Sequence, residues 1–369
     1  MPNDFRAHPP LAAGVRALAL ACALVSASCS GASDRQPSAK GDGAAAVVAE
    51  RGPLTVFAAG SLARPMRAAL DSFAAQTGTT FALETAGSLE LARRLLDLGK
   101  DADVVALADE EVFPRFLMPA RVSWYARFAR NRMVLAYATD AQGAEAASRG
   151  DWRHVLLRPG VATGRSDPDL DPAGYRTLLA FQLAERHYRE PGLAKRLEAA
   201  SPPTHVRPKS AELVALLQAH ELDYAWMYES SARGARLSFV RLPDEVDLGE
   251  ERLAPVYDSA SVRVAGATPG DTLALHGTPI RYGISIPTRA HRPALSAAFV
   301  RYIFSDAGQR ILRSEYLDVL PVPALVGRGV PSALDSLAPD SARATERATE
   351  RATERATERA TERVVPRTR

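Results

Sequence analysis

At 369 residues, 46% of them apolar and 24% charged, the chain carries enough hydrophobic material for two domains of ordinary size. The formal net charge is only +3, and the basic residues form no stripe interleaved with aromatics, which argues against a nucleic-acid surface. Both cysteines, Cys22 and Cys29, fall near the N-terminus, so the body that follows can build neither a disulfide nor a thiolate metal site.

Taken in chain order, residues 1–29 read as an export signal. Arg6, His8 and Arg16 precede the apolar run Ala17 to Val25, which ends in Ser26-Ala27-Ser28 before Cys29. That run is too short for a stable bilayer span. The segment around Cys29 resembles a bacterial lipobox, with Ser26 where a leucine is usual, so lipidation at Cys29 is expected and cleavage with release is the alternative. Residues 30–52, rich in Ala, Gly and Ser, read as a flexible tether. The expected location is the periplasm or the outer face of the cytoplasmic membrane, with the lipid as anchor.

The body alternates strand and helix patterns. Leu54 to Ala59 is an apolar run ended by Gly60-Ser61, after which Leu62, Met66, Ala69, Leu70 and Phe73 recur at helical spacing up to Gly78. Phe81 to Thr85 repeats the pattern, broken at Gly87-Ser88 and followed by a helix bearing Leu91, Leu95 and Leu98 and closed by Gly99. Asp103 to Ala108 reads as another buried strand. A second set follows Met133 to Tyr137, with helices near 174–189, 193–199 and 209–219 and a strand at Tyr224 to Tyr228. Ile280 to Ile286 reads as a strand, and 293–304 and 306–314 as helices that return to the first set.

The expectation is an α/β fold with mostly parallel sheets and two lobes, 53–135 plus 281–327 and 136–280. The chain would cross between them near 134–139 and 279–286, which permits a hinge and a cleft. Residues 328–369 carry a five-fold Ala-Thr-Glu-Arg repeat through Arg363 and read as a low-complexity tail without core residues.

Several turns could carry chemistry. Ser61 and Ser88 occupy equivalent positions where a strand hands over to a helix, a place where unpaired N–H groups and the helix dipole favour an anion. Plain helix capping is the alternative for both. In Gly164 to Arg176 the alternating aspartates suggest a calcium loop, but Pro172 stands where the turn glycine belongs and Leu178 where a bidentate glutamate is required. Ala173 and Gly174 could instead present backbone N–H groups with Asp171 beside them. Ser210 opens another helix, and Tyr228 ends the strand after it. The sequence has no Gly-x-Ser-x-Gly elbow, no phosphate-binding Gly-Lys-Ser/Thr loop and no paired histidines at ligand spacing, so no enzyme is expected.

Phe57-Ala58-Ala59-Gly60-Ser61-Leu62, Ala86-Gly87-Ser88, Gly99 to Ala106, Trp124 to Tyr137, Asp171-Pro172-Ala173-Gly174-Tyr175-Arg176, Arg207-Pro208-Lys209-Ser210, Leu222 to Tyr228 and Tyr282 to Pro287, taken in order, resemble the molybdate/tungstate-binding proteins of ABC importers, most closely their tungstate-binding branch. The resemblance implies a type II periplasmic-binding fold: two α/β lobes with two crossover strands closing on a buried oxyanion. It carries the hydroxyl donors onto Ser61 and Ser88, the backbone donors onto Ala173 and Ser210, and the tyrosine donor onto Tyr228. Neutral dipoles of this kind can hold a buried dianion without a lysine.

Asp171 matches the first of two carboxylates that approach the metal centre in the tungstate branch. Met227 stands where the second would be, and Glu229, two residues on, could substitute if the chain bends. The implied partners are a small inorganic oxyanion, an ABC permease with its ATPase, and the membrane through the lipid. The protein is expected to be a monomer with no cofactor beyond its cargo. Another tetrahedral oxyanion such as sulfate or phosphate, or a tethered sensor without a transporter, is the alternative.

Overall fold

The computed structural model describes residues 52–96, 99–268 and 270–337. The export signal, Cys29, most of the tether, Leu98 and the tetrapeptide repeats lie outside the described residues. Among the described residues no helix is long and apolar enough to cross a membrane.

The first lobe is built on a six-stranded sheet. β1 (Leu54–Ala59) lies parallel to β2 (Phe81–Ala86) on one side and to β3 (Val104–Leu107) on the other. Between these strands run α1 (Ala63–Thr77) and α2 (Ser88–Leu96). On α1 the residues at helical spacing, Met66, Ala69, Leu70 and Phe73, are the buried ones, and Gly78 ends the helix in the left-handed conformation at φ 72°.

The other half of this sheet is antiparallel, against the expectation of a mostly parallel one. β12 (Arg281–Ser285) pairs antiparallel with β3 and with β4 (Trp124–Arg130), and β13 (Asp318–Gly327) pairs antiparallel with β4. The partners in each antiparallel pair are separated along the chain by the whole second lobe rather than joined by one helical crossover, so parallel pairing is not imposed on them.

The second lobe holds a five-stranded sheet in the order β7-β6-β8-β5-β9. Its members are β5 (Met133–Tyr137), β6 (Thr163–Ser166), β7 (Val206–Arg207), β8 (Tyr224–Tyr228) and β9 (Ser238–Arg241). Helices α3 (Pro172–Tyr188), α4 (Leu193–Ala199), α5 (Ser210–Gln218) and the short α6 (Glu229–Gly234) accompany it. A hairpin of β10 (Ser261–Ala265) and β11 (Thr272–His276) packs on α3. Trp226 is central to the core here, with Trp152 and Phe181 edge-on at 5.5 and 5.1 Å between ring centroids.

The chain passes from the first sheet to the second at Asn131-Arg132, earlier than the expected 134–139, because the apolar run Met133–Tyr137 is itself a strand paired with β8 and β9. It returns between β11 and β12, and the two passages touch where Asn131 N donates to Ile280 O at 3.2 Å. α7 (Pro293–Phe304) and α8 (Asp306–Ser314) then pack back on the first lobe, with Phe299 5.3 Å from Phe73.

The folded body continues past 327, where the sequence reading began the tail. A 3-10 turn, Ser332–Leu337, packs on α7 and buries Leu334 completely. Val330, Leu334 and Leu337 recur at helical spacing and pack on the core, a short apolar signal that the neighbouring repeats overshadowed.

Candidate functional site

The strand-to-helix turns of both lobes meet across the cleft. Ser61 lies in a 3-10 turn, Gly60–Leu62, between β1 and α1, and Ser88 is the first residue of α2. From the second lobe, Asp171 caps α3 from an extended backbone, φ −125°, with Pro172 at the first helical position. Ser210 opens α5, and Tyr228 ends β8. Ser88, Asp171, Ala173, Ser210 and Tyr228 are each at most 4% exposed. Ser61 is partly exposed and forms part of the wall of a cleft of about 300 Å³ between the lobes, with Ala211, Val214 and Ser230 opposite.

Each hydroxyl is backed by a protein donor. Ser88 Oγ accepts from Ala108 N at 3.0 Å, at the end of β3, rather than from its own helix. Tyr228 OH accepts from Arg176 Nη1 at 2.7 Å. Ser61 Oγ accepts from Tyr282 OH at 3.1 Å, and Tyr282 OH accepts from Asn131 Nδ2 at 2.9 Å. The orientation of Asn131 is fixed because its Oδ1 accepts from Arg132 N at 2.9 Å. Burial pushes the Tyr228 phenol well above its ordinary pKa, and pushes Tyr282 up to about 12, so both keep their protons at neutral pH.

The two expected backbone donors converge on one carboxylate. Ala173 N donates to Asp171 Oδ1 at 3.2 Å and Ser210 N to Asp171 Oδ2 at 3.0 Å, so Asp171 ties together the N-termini of α3 and α5. Burial raises the Asp171 pKa, against the pull of these two amides and of the Arg176 charge. Ser166, fully buried at the end of β6, lies close enough to Asp171 for its hydroxyl to join the groups that oppose this rise.

Glu229 does not join this group. Substitution needed a bend that brings Glu229 to the site; the chain does bend, turning into α6 at Glu229 itself, but the carboxylate goes elsewhere. There its carboxylate is taken by Arg233 at 2.6 Å, Arg241 at 2.9 Å and Arg132 at 3.6 Å. Met227 is fully buried, and strand alternation puts it on the face of β8 opposite Tyr228.

Sequence reasoning named no role for Arg176, Asp109, Tyr282 or Asn131. Arg176 is 2% exposed; its Nη1 also donates to Ala108 O at 2.6 Å, and its Nη2 lies 3.1 Å from Asp109 Oδ1. Tyr175 OH donates to the other oxygen of Asp109. Behind the neutral dipoles expected from the sequence the structure adds a buried cation, Arg176 at Tyr228. A signal was present, because Arg176 falls on the helical stripe with Leu179, Ala180 and Leu183, where an apolar residue is the rule.

The lobes also meet at the mouth. Leu89 N and Glu90 N donate to Leu170 O at 3.2 and 3.4 Å. Arg93 of α2 donates to three main-chain carbonyls of the second lobe: Asp169 O and Ala265 O at 2.6 Å each, and Gly266 O at 3.2 Å. A Cβ on Gly87 would overlap the Leu170 carbonyl. Gly87→Ala is therefore expected to leave each lobe folded, by circular dichroism, while lowering ligand affinity about tenfold, roughly 1.4 kcal/mol, in a calorimetric titration.

Residues 54–316 match the family model of bacterial extracellular solute-binding proteins. An uncharacterised solute-binding protein of Petrotoga mobilis is 38% identical over 262 residues, which cover 71% of this chain and 82% of that one. The molybdate/tungstate-binding protein WtpA of Pyrococcus abyssi is 31% identical over 311 residues, 77% of this chain and 89% of that protein. Among solved structures, the sulfate-binding protein SubI of Mycobacterium tuberculosis aligns with a TM-score of 0.53 at 16% identity, covering 78% of this chain and 92% of that one. The periplasmic molybdate-binding protein of Azotobacter vinelandii aligns at 0.50 and 17% identity, covering 73% and 99%. At such identities the structures show the shared two-lobed fold.

Proposed function

Because the chain belongs to the family of bacterial extracellular solute-binding proteins, we propose that it captures a doubly charged tetrahedral oxyanion, molybdate or tungstate, between its lobes and delivers it to an ABC importer. The family is one of transport proteins, not of enzymes, and the residues gathered at the cleft suit binding alone. The observation that carries the reading is the backing of the hydroxyls: Ser61, Ser88 and Tyr228 each accept from a protein donor, so the proton of each is left for a guest. A fully deprotonated oxyanion offers only acceptors and matches such a site. Hydrogen phosphate brings a proton of its own, and Asp171, the buried acceptor among these groups, already receives two amides.

In this reading the guest's oxygens take the three hydroxyl protons and share the amides of Ala173 and Ser210 with Asp171. The chain's own groups supply every donor, so no cofactor is required. Asp171 approaches the metal centre of the guest, and with Glu229 held by arginines it does so as the single carboxylate. That last feature favours sulfate as a second reading, because sulfate has no use for added carboxylate ligands. Calorimetric titration with molybdate, tungstate, sulfate and phosphate tests both: the reading expects tight molybdate and tungstate binding, and tight sulfate binding without a response to tungstate would overturn it.

Tethering through a lipid on Cys29 and action as a monomer complete the proposal. Mass spectrometry of the protein from membranes, compared with a Cys29→Ser variant, checks the lipid. A mature N-terminus without added acyl mass would leave a released periplasmic form.

A further inference from the structure

We propose that Arg176 is the positioning residue that makes closure of the lobes and capture of the oxyanion one event; the inference rests on the oxyanion reading above. Its guanidinium is buried and shared between the lobes. Tyr228, which it contacts at 2.7 Å, belongs to the same lobe as Arg176 itself, whereas Ala108 O at 2.6 Å and Asp109 Oδ1 at 3.1 Å belong to the other. Tyr175, its neighbour on α3, reinforces the link by donating to Asp109.

Separation of the lobes leaves Arg176 on Tyr228 and removes its other two partners. An arginine cannot shed its charge in a protein, so the parted cleft presents a cation stripped of its Asp109 partner beside the donor hydroxyl, which draws an anion in. Closure then returns Ala108 and Asp109 to the guanidinium from behind. The ion pair lies with its positive end toward the site: Arg176 Nη1 contacts Tyr228 OH, whereas Asp109 meets Arg176 Nη2 and Tyr175 OH. Throughout, the Nη1 proton occupies the oxygen of Tyr228, so the phenol can only donate to the guest. The same fork that completes the closed cleft therefore fixes the polarity of one ligand-binding hydroxyl. The bound anion and the facing lobe both stabilise one side-chain position.

A double-mutant cycle tests this. Arg176→Met is combined with Asp109→Asn, so that no buried carboxylate is left unpaired, and the pair is crossed with Tyr228→Phe. Tungstate affinity is read by calorimetry, and closure by small-angle scattering with and without saturating tungstate. Tyr228→Phe is expected to weaken tungstate binding about tenfold in the parent protein and less than about twofold in the Arg176→Met/Asp109→Asn background. That background is also expected to show a smaller contraction on saturation. Should the pair fail to fold, Arg176→Lys, which keeps the charge but not the fork, takes its place in the cycle. Additive effects, or full contraction without the guanidinium, overturn the inference while the oxyanion reading stands. Absence of binding to any of the tetrahedral oxyanions by the parent protein overturns both.

Discussion

Asp109→Ala is expected to destabilise the protein by about 3–5 kcal/mol, the usual result of removing one partner of a buried ion pair. The carboxylate is 4% exposed and accepts from Tyr175 while facing Arg176, so its loss strands a guanidinium and a phenol in the interior. Desolvation of Arg176 opposes its charge, and Asp109 is foremost among the groups that keep its pKa raised. Ala108 O and Tyr228 OH remain as neutral acceptors, which do not replace a counter-charge. Denaturant unfolding measures the loss. Adding Arg176→Met to Asp109→Ala should recover much of it, because the stranded charge is then gone. If the double variant is as unstable as the single one, lost packing rather than unpaired charge is the cause.

The second large effect is on binding. Ser88→Ala removes a buried hydroxyl whose oxygen is already occupied by Ala108 N, so the lost proton is one that serves the guest. A hydrogen bond to a charged acceptor contributes about 1.5–3 kcal/mol. Affinity for the oxyanion should therefore fall roughly 10- to 150-fold. Folding stability should drop by only about 1 kcal/mol, from Ala108 N left without its acceptor. Titration and thermal unfolding of the same variant separate these terms. Unchanged affinity would remove Ser88 from the site.

The parts of the molecule written in local pattern were legible. Helices such as α7 and α8, and the strand-to-helix turns holding Ser61 and Ser88, follow from apolar spacing and glycine punctuation, which depend on neighbours along the chain. What escaped depends on neighbours in space. β6, with Thr163, Arg165 and Ser166 buried, has no apolar alternation; it is a strand because β7 and β8 flank it with partners. Glu229 was expected to reach the site only through a bend, and the helix that begins there turned it toward three arginines instead. Arg176 stood in a quoted motif without a role, since its partners Ala108 and Asp109 lie on the other lobe. The convergence of Ala173 N and Ser210 N on Asp171 likewise needs the fold: each helix start was visible alone, and their meeting was not.

Arg93 grips the opposite lobe through backbone oxygens at Asp169, Ala265 and Gly266. Every residue type carries such an oxygen, so the clasp asks only for the local backbone path, which the Asp169 carboxylate helps to hold by accepting from Ala265 N at 2.7 Å. The identity of the clasp is encoded on one side only. A change at that arginine removes three lobe-to-lobe contacts at once and leaves the mouth to the amides of Leu89 and Glu90 on Leu170.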